Sequence, residues 1–334
     1  MFRLRNLMRV FIALCALPML ATAASSQETV RIGIGFGLAF LPAYICDDLD
    51  LVEKYGKDAH LDLKATYQRF MGAGPLLEAI GTGAIDMGPF GAAPLLAAWE
   101  KAKDSPQQIL AVSGITTLPP VLLTNRANVR SLADFHPSDR IAIPAPKAPQ
   151  LYLLQMQAEK IFGQYDRLGK QIVVLPNPDA VSTLLAGTGP VSGYFSSAPF
   201  TEIALGDGRI HKVLSAADVI GGKVSFLIMG ATRAYVAAHP GVAEAVAKAM
   251  DEAASMIRND PHHAAEIYLM HEPFRTLDVA AVAAIIEGIK DEFGSPVHGV
   301  QAFADFMGRH GELKTPPRSW KEIVAPALLN SPST

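Results

Sequence analysis

The pattern G-T-G-x4-G-x-F-x-x-A-P over 81–94 returns one residue shorter, as G-T-G-x3-G-x-F-x-x-A-P, over 187–199. The run Arg31-Ile32-Gly33-Ile34 has a counterpart in Arg140-Ile141-Ala142-Ile143, set at nearly the same distance upstream of its own copy. Self-similarity at long range reports duplicated architecture, and two copies are too few for a solenoid. The chain is therefore expected to fold as two similar lobes, with a cleft between them where a small ligand would sit.

The first residues bear on the compartment. Arg3, Arg5 and Arg9 precede an apolar run over 10–20, and Ala21-Thr22-Ala23 supplies the small-x-small cleavage pattern of a secretory signal peptide. The run is shorter than the ~20 residues a membrane span needs, which argues against an anchor. Cleavage after Ala23 would leave 311 of the 334 residues, enough for an ordinary core. It would also remove Cys15, whose neighbour Leu14 stands where a lipoprotein signal wants a small residue. Cys46 would then be the sole thiol, read as a small core residue. Loss of three arginines takes the formal charge from −3 to −6. A mildly acidic chain without a basic stripe is a poor partner for nucleic acid or anionic membranes. A soluble, exported monomer is expected.

Strand and helix patterns alternate along each unit. In the first, strands are expected at 30–34, 61–66 and 85–88, with helices at 42–54, 76–80 and 90–101. In the second, strands are expected at 140–143, 171–175 and 191–195, with helices at 149–162 and 179–185. Such alternation predicts βαβ units and a largely parallel sheet. Ser131-Leu132-Ala133-Asp134 reads as a capping box with Asp in the acidic position. Two β-prone segments, 120–124 and 224–229, are read as strands crossing between the lobes. Beyond His239 the periodicity is helical, at 242–258, 261–270, 277–293 and 301–309.

Little in the sequence demands catalysis. There is no G-x-S-x-G elbow, P-loop, C-x-x-C or H-E-x-x-H pair. His262 and His263 are adjacent and so point in different directions on a helix, which makes a poor metal site; no metal or cofactor is expected. What recurs instead is a small-residue turn before each helix, at 35–39, 71–74, 91–93, 147–150, 177–179 and 196–198. In a parallel α/β sheet such turns follow the carboxyl ends of strands, where ligands bind. Helix N-termini there present free N–H groups that suit a small anion. Phe36, Phe40, Tyr44, Phe70, Phe90, Phe195 and Phe200 line or flank the turns, favouring a ligand with an apolar part. Arg69 and Lys147 are the cations at hand to neutralise a sulfonate or carboxylate.

These residues resemble the exported solute-binding proteins of ABC importers for nitrate, sulfonates and taurine, a group related to the NMT1/THI5-like proteins. The matching pieces are R-I-G-x-G at 31–35, L-P-A-Y at 41–44, L-L-E-A-I-G-T-G-A-I-D-M-G at 76–88, S-L-A-D-F at 131–135, L-P-N-P-D-A at 175–180 and G-x-F-x-S-A-P-F at 193–200. The resemblance implies an α/β, two-lobed type II periplasmic-binding-protein fold: two βαβ-type lobes, two crossover strands and a helical C-terminal segment. The first lobe would comprise 24–121 and 229–334, the second 122–228, with the hinge near 120–124 and 224–229.

By the same resemblance the ligand contacts fall on Phe36, Leu38, Ala39, Gly72, Ala73, Gly74, Phe90, Gly91 and Ala92. From the second unit they fall on Lys147, Ala148, Gln150, Asp179, Ser196, Ser197 and Ala198. Two turns depart from the family pattern. Pro146-Lys147-Ala148-Pro149 and Gly91-Ala92-Ala93 lack hydroxyl donors, which argues against a simple oxyanion. The implied role is periplasmic capture of a small organic anion and delivery to a membrane permease with its ATPase. Binding of a thiamine-pyrimidine precursor, an enzyme of the same fold and a ligand-presenting sensory partner are the alternatives.

Overall fold

The computed structural model describes residues 27–272, 277–329 and 333. Arg3, Arg5, Arg9, Cys15 and the expected cleavage site at Ala23 lie outside them. No helix among the described residues is long and apolar enough to cross a membrane.

The chain begins with β1 (Glu28–Ile34), α1 (Leu41–Asp48), α2 (Leu51–Asp58), β2 (Leu63–Arg69), α3 (Ala73–Gly81), β3 (Met87–Phe90), α4 (Ala92–Lys101) and β4 (Ile109–Thr116). It continues with β5 (Val121–Thr124), β6 (Arg140–Ile143), α5 (Pro149–Phe162), β7 (Ile172–Val174) and α6 (Asn177–Ala186). Next come β8 (Val191–Ser196), α7 (Phe200–Leu205), β9 (His211–Ser215) and α8 (Ala216–Ile220). Then follow β10 (Leu227–Thr232), α9 (Arg233–Ala238), α10 (Pro240–Asn259), α11 (Pro261–His271), α12 (Val279–Ile289) and α13 (Val300–Arg309). One sheet has the order β2-β1-β3-β10-β4 and the other β7-β6-β8-β5-β9. Read as second, first, third, incoming and last strand, the two orders are the same. The sequence repeat is thus a repeat of sheet topology, one copy per lobe.

Neither sheet is as parallel as the alternation predicted. β1 runs parallel to β2 and β3, and β6 to β7 and β8, but β10 is antiparallel to β3 and β4, and β5 to β8 and β9. The register gives the reason. Val121 at the start of β5 pairs with Ser196 at the end of β8, and Leu227 at the start of β10 pairs with Thr116 at the end of β4. A strand that enters from the other lobe starts where the parallel strands finish, so it must run against them. The segments 120–124 and 224–229 overlap β5 and the start of β10, each bonded within one sheet. The chain changes sheet just before them, over 117–120 and 221–226.

The single helix expected over 42–54 is two, α1 and α2, divided where Asp50 takes a left-handed φ of 47°. The capping box at Ser131 is present: Ser131 Oγ accepts from Ala133 N–H (3.2 Å) and Asp134 Oδ2 from Ser131 N–H (2.8 Å). Helix α10 packs on β4 of the first sheet, α11 on α1 and α10, α12 on α11, and α13 on α4.

Cys46 lies on α1 with no exposed surface, and burial raises its thiol well above the ordinary range. Because the thiolate is the reactive form, labelling by a thiol reagent is expected to wait for unfolding. Rapid stoichiometric labelling of the folded protein would contradict this placement.

Candidate functional site

Three helices open on the cleft without a side-chain cap. The residues before them are Gly72 for α3, Gly91 for α4 and Ala148 for α5, and none accepts a hydrogen bond from its own helix through a side chain. Thr232, Asp260 and Asp278 cap α9, α11 and α12 by accepting from their first turns, whereas α1, α2, α6, α7, α10 and α13 lack a side-chain cap as the three cleft helices do. Uncapped first turns leave N–H groups and a positive dipole end available, and residues from the first turns of α3 and α4 line one cavity.

The two lobes touch beside these termini. A Cβ built on Gly91 would stand 2.6 Å from Pro149 Cγ, and one built on Gly37 would stand 4.0 Å from the Ala198 carbonyl oxygen. Next to the first contact is a cavity of about 360 Å³. Ala73, Gly74 and Leu77 of α3, Pro94, Ala97 and Lys101 of α4, and Met307 and Glu312 line it from the first lobe, and Lys147 and Tyr152 from the second. Lys147 holds a left-handed φ of 59°, a conformation a non-glycine residue adopts at a cost. The Tyr152 hydroxyl donates to Glu312 Oε2 at 2.8 Å on the same wall. Gln150, in the first turn of α5, is 1 % exposed and its Oε1 has no hydrogen-bond partner. A buried carbonyl oxygen left unpaired costs about 1–3 kcal/mol, so it marks a place where a donor from a ligand would be stabilising.

The other residues singled out in the sequence divide into groups. Leu38, Ala39, Phe90 and Ala92 are buried and their side chains pack in the core. Ser196 is fully buried and its hydroxyl is spent, donating to Val121 O (3.1 Å) and lying 2.7 Å from Thr201 Oγ1. Ser197 is largely buried and Ala198 half-buried at the second lobe contact. Asp179 is exposed in the first turn of α6.

Phe36 and Arg69 belong to a second corner of the cleft, under the loop that follows β1. The Arg69 guanidinium lies 5.0 Å from the centre of the half-exposed Phe36 ring and 4.9 Å from that of Tyr44. It also forms an ion pair with Glu272 at 3.7 Å. Glu272 was not signalled by the sequence. It follows α11, 235 residues from the loop it supports, in no motif. Burial and the Glu272 carboxylate together push the Tyr44 and Tyr268 phenols far above their usual range, so both stay protonated donors.

No family profile matches this sequence, and no curated protein matches it. Solved structures do match. The periplasmic aliphatic sulphonate binding protein SsuA of Escherichia coli superposes with a TM-score of 0.68 at 17 % identity, covering 89 % of this chain and 98 % of that one. The alkanesulfonate-binding protein SsuA of Xanthomonas axonopodis pv. citri, bound to MOPS, gives 0.67 at 20 % identity, with 90 % and 97 % covered. The periplasmic nitrate-binding protein NrtA of Synechocystis PCC 6803 gives 0.56 at 14 % identity, with 79 % and 71 % covered. At such identities what is shared is the fold. Two lobes of one strand order, joined by two crossings and superposing on nearly the whole of the two SsuA proteins, give the chain the two-lobed type II periplasmic-binding-protein fold.

Proposed function

We propose that the protein is the solute-capturing component of an ABC importer, exported to the periplasm, and that it binds a small organic anion between its lobes. The observation that carries this reading is one cavity lined from both lobes by the first turns of α3 and α4 and by Lys101 and Lys147. Dipole ends and free N–H groups favour negative charge, and a lysine adds a full one. The rest of the lining is glycine, alanine, leucine, proline and methionine together with Tyr152 and Glu312, and its apolar part suits an apolar body attached to the charged group. Gln150 would pair with a donor on that body.

Capture would work by closure of the lobes. Contacts to a solute from both sides stabilise the closed arrangement, and the permease reads that arrangement. No step in this sequence requires a bond to be made or broken, and the protein is read as a receptor, not an enzyme.

A thermal-shift screen over alkanesulfonates, taurine, nitrate, aromatic carboxylates and pyrimidines tests the proposal. A solute at 100 times its Kd adds about 2.7 kcal/mol of stability, and one of the organic anions is expected to do so. Lys147→Gln is expected to weaken that solute by about tenfold, the size of one charge-assisted hydrogen bond. Turnover of any compound in the panel, or stabilisation by none, would overturn the receptor reading.

A further inference from the structure

The first lobe already holds an anion at its edge of the cleft, and it is part of the chain. Glu272 Oε1 accepts from the Gly37 amide at 2.6 Å and from the Tyr44 hydroxyl, while Oε2 accepts from the Tyr268 hydroxyl at 3.3 Å. The Tyr44 hydroxyl is also 2.9 Å from the Gly35 carbonyl oxygen, so with one proton it donates to one acceptor at a time. It accepts in turn from Arg69 at 3.4 Å. Arg69 gives its other terminal nitrogen to the His271 carbonyl oxygen at 3.2 Å, and its charge is balanced by Glu272. The Glu272 side chain is only 12 % exposed.

Elementary chemistry makes this corner attractive to a dissolved anion. A glycine amide opening a helical turn, two phenols and a guanidinium form a donor set suited to a sulfonate or carboxylate. Here the same donors converge on one resident carboxylate. A solute anion arriving at this loop would have to displace a buried charge from four partners, and it would meet like-charge repulsion meanwhile.

We propose that Glu272 is a resident anion that closes the corner of the first lobe under the loop after β1 to anionic groups. Taken with the proposed capture of an organic anion, on which this clause rests, the charged end of the solute is then met away from this corner, at the cavity lined by Lys101 and Lys147. Glu272 excludes anions from this corner without touching the solute, and is a specificity-determining residue in that sense.

The test uses inorganic sulfate and the amide NMR signal of Gly37, so it needs no identified solute. In the wild-type protein the Gly37 amide is expected to give no saturable shift on titration with sulfate. In Glu272→Gln, which frees Arg69 and weakens the acceptor on Gly37, a saturable shift is expected. Its affinity is expected to fall about tenfold when Arg69→Gln is added. A saturable wild-type shift would overturn the proposal, as would a folded Glu272→Gln protein that gains no response. Should that variant fail to fold, the wild-type titration decides alone. A solute screen without an organic-anion hit would overturn the importer reading and leave these NMR outcomes as they are, so the two failures are separable.

Discussion

Replacing Phe90 by alanine is expected to cost about 3–5 kcal/mol of folding stability, the usual range for a fully buried phenylalanine. Phe90 ends β3 at 1 % exposure, and its ring lies over Gly230 of β10. A Cβ built on Gly230 would come within 2.9 Å of Phe90 Cδ2, so the ring occupies the space that this glycine leaves. Truncation opens a cavity between the strand that ends at the cleft and the one that enters from it. Urea unfolding should show a lower midpoint with an unchanged slope. A wild-type midpoint would mean that the ring is not in the core.

The neighbouring residue should respond in a different way. Gly91→Ala places a methyl group 2.6 Å from Pro149 Cγ and 3.1 Å from Cδ, and Pro149 belongs to the other lobe. Neither lobe needs to repack internally, because the lobes can separate. The expected result is a closed arrangement disfavoured by about 1–3 kcal/mol. Solute affinity would fall by roughly 5–150-fold, with the ligand-free melting temperature nearly unchanged. Small-angle scattering should show a larger radius of gyration for the variant. Wild-type affinity together with a wild-type radius would contradict the proposed closure. Two adjacent residues in one repeated motif thus act on different quantities, one on the fold and one on the meeting of the lobes.

The repeat made much of the architecture legible. Its G-T-G elements are helix exits, with Gly83 at φ 73° closing off α3 and Gly187 at φ 66° capping α6. Its central glycines let other parts pack directly on a strand. A Cβ on Gly88 would collide with Leu76 of α3, and one on Gly193 would crowd Phe135 and Ile141. What stayed hidden had no local signature. β4 is buried at all eight positions, so it shows no alternation by which a strand could be read. The direction of β5 and β10 depends on where the chain re-enters each sheet, which no window of sequence contains. Lys147 could be named as a cation in a loop, but its left-handed backbone could not. Arg69 was read as a free cation because its counter-ion, Glu272, is supplied from the far end of the first lobe.

The place of β10 in the first sheet has a consequence for how the protein is made. It sits between β3 and β4, yet it is synthesised after the whole of the second lobe. Until it arrives, a nascent chain carries two apolar strands whose facing edges have no partner. Open edges of that kind invite pairing with other chains. The second lobe has no such interval, because all five of its strands fall in one continuous stretch from β5 to β9. It can therefore complete its sheet while the earlier lobe waits. A chain stalled or cut between 216 and 226 would leave a second half with a finished sheet attached to an aggregation-prone first one.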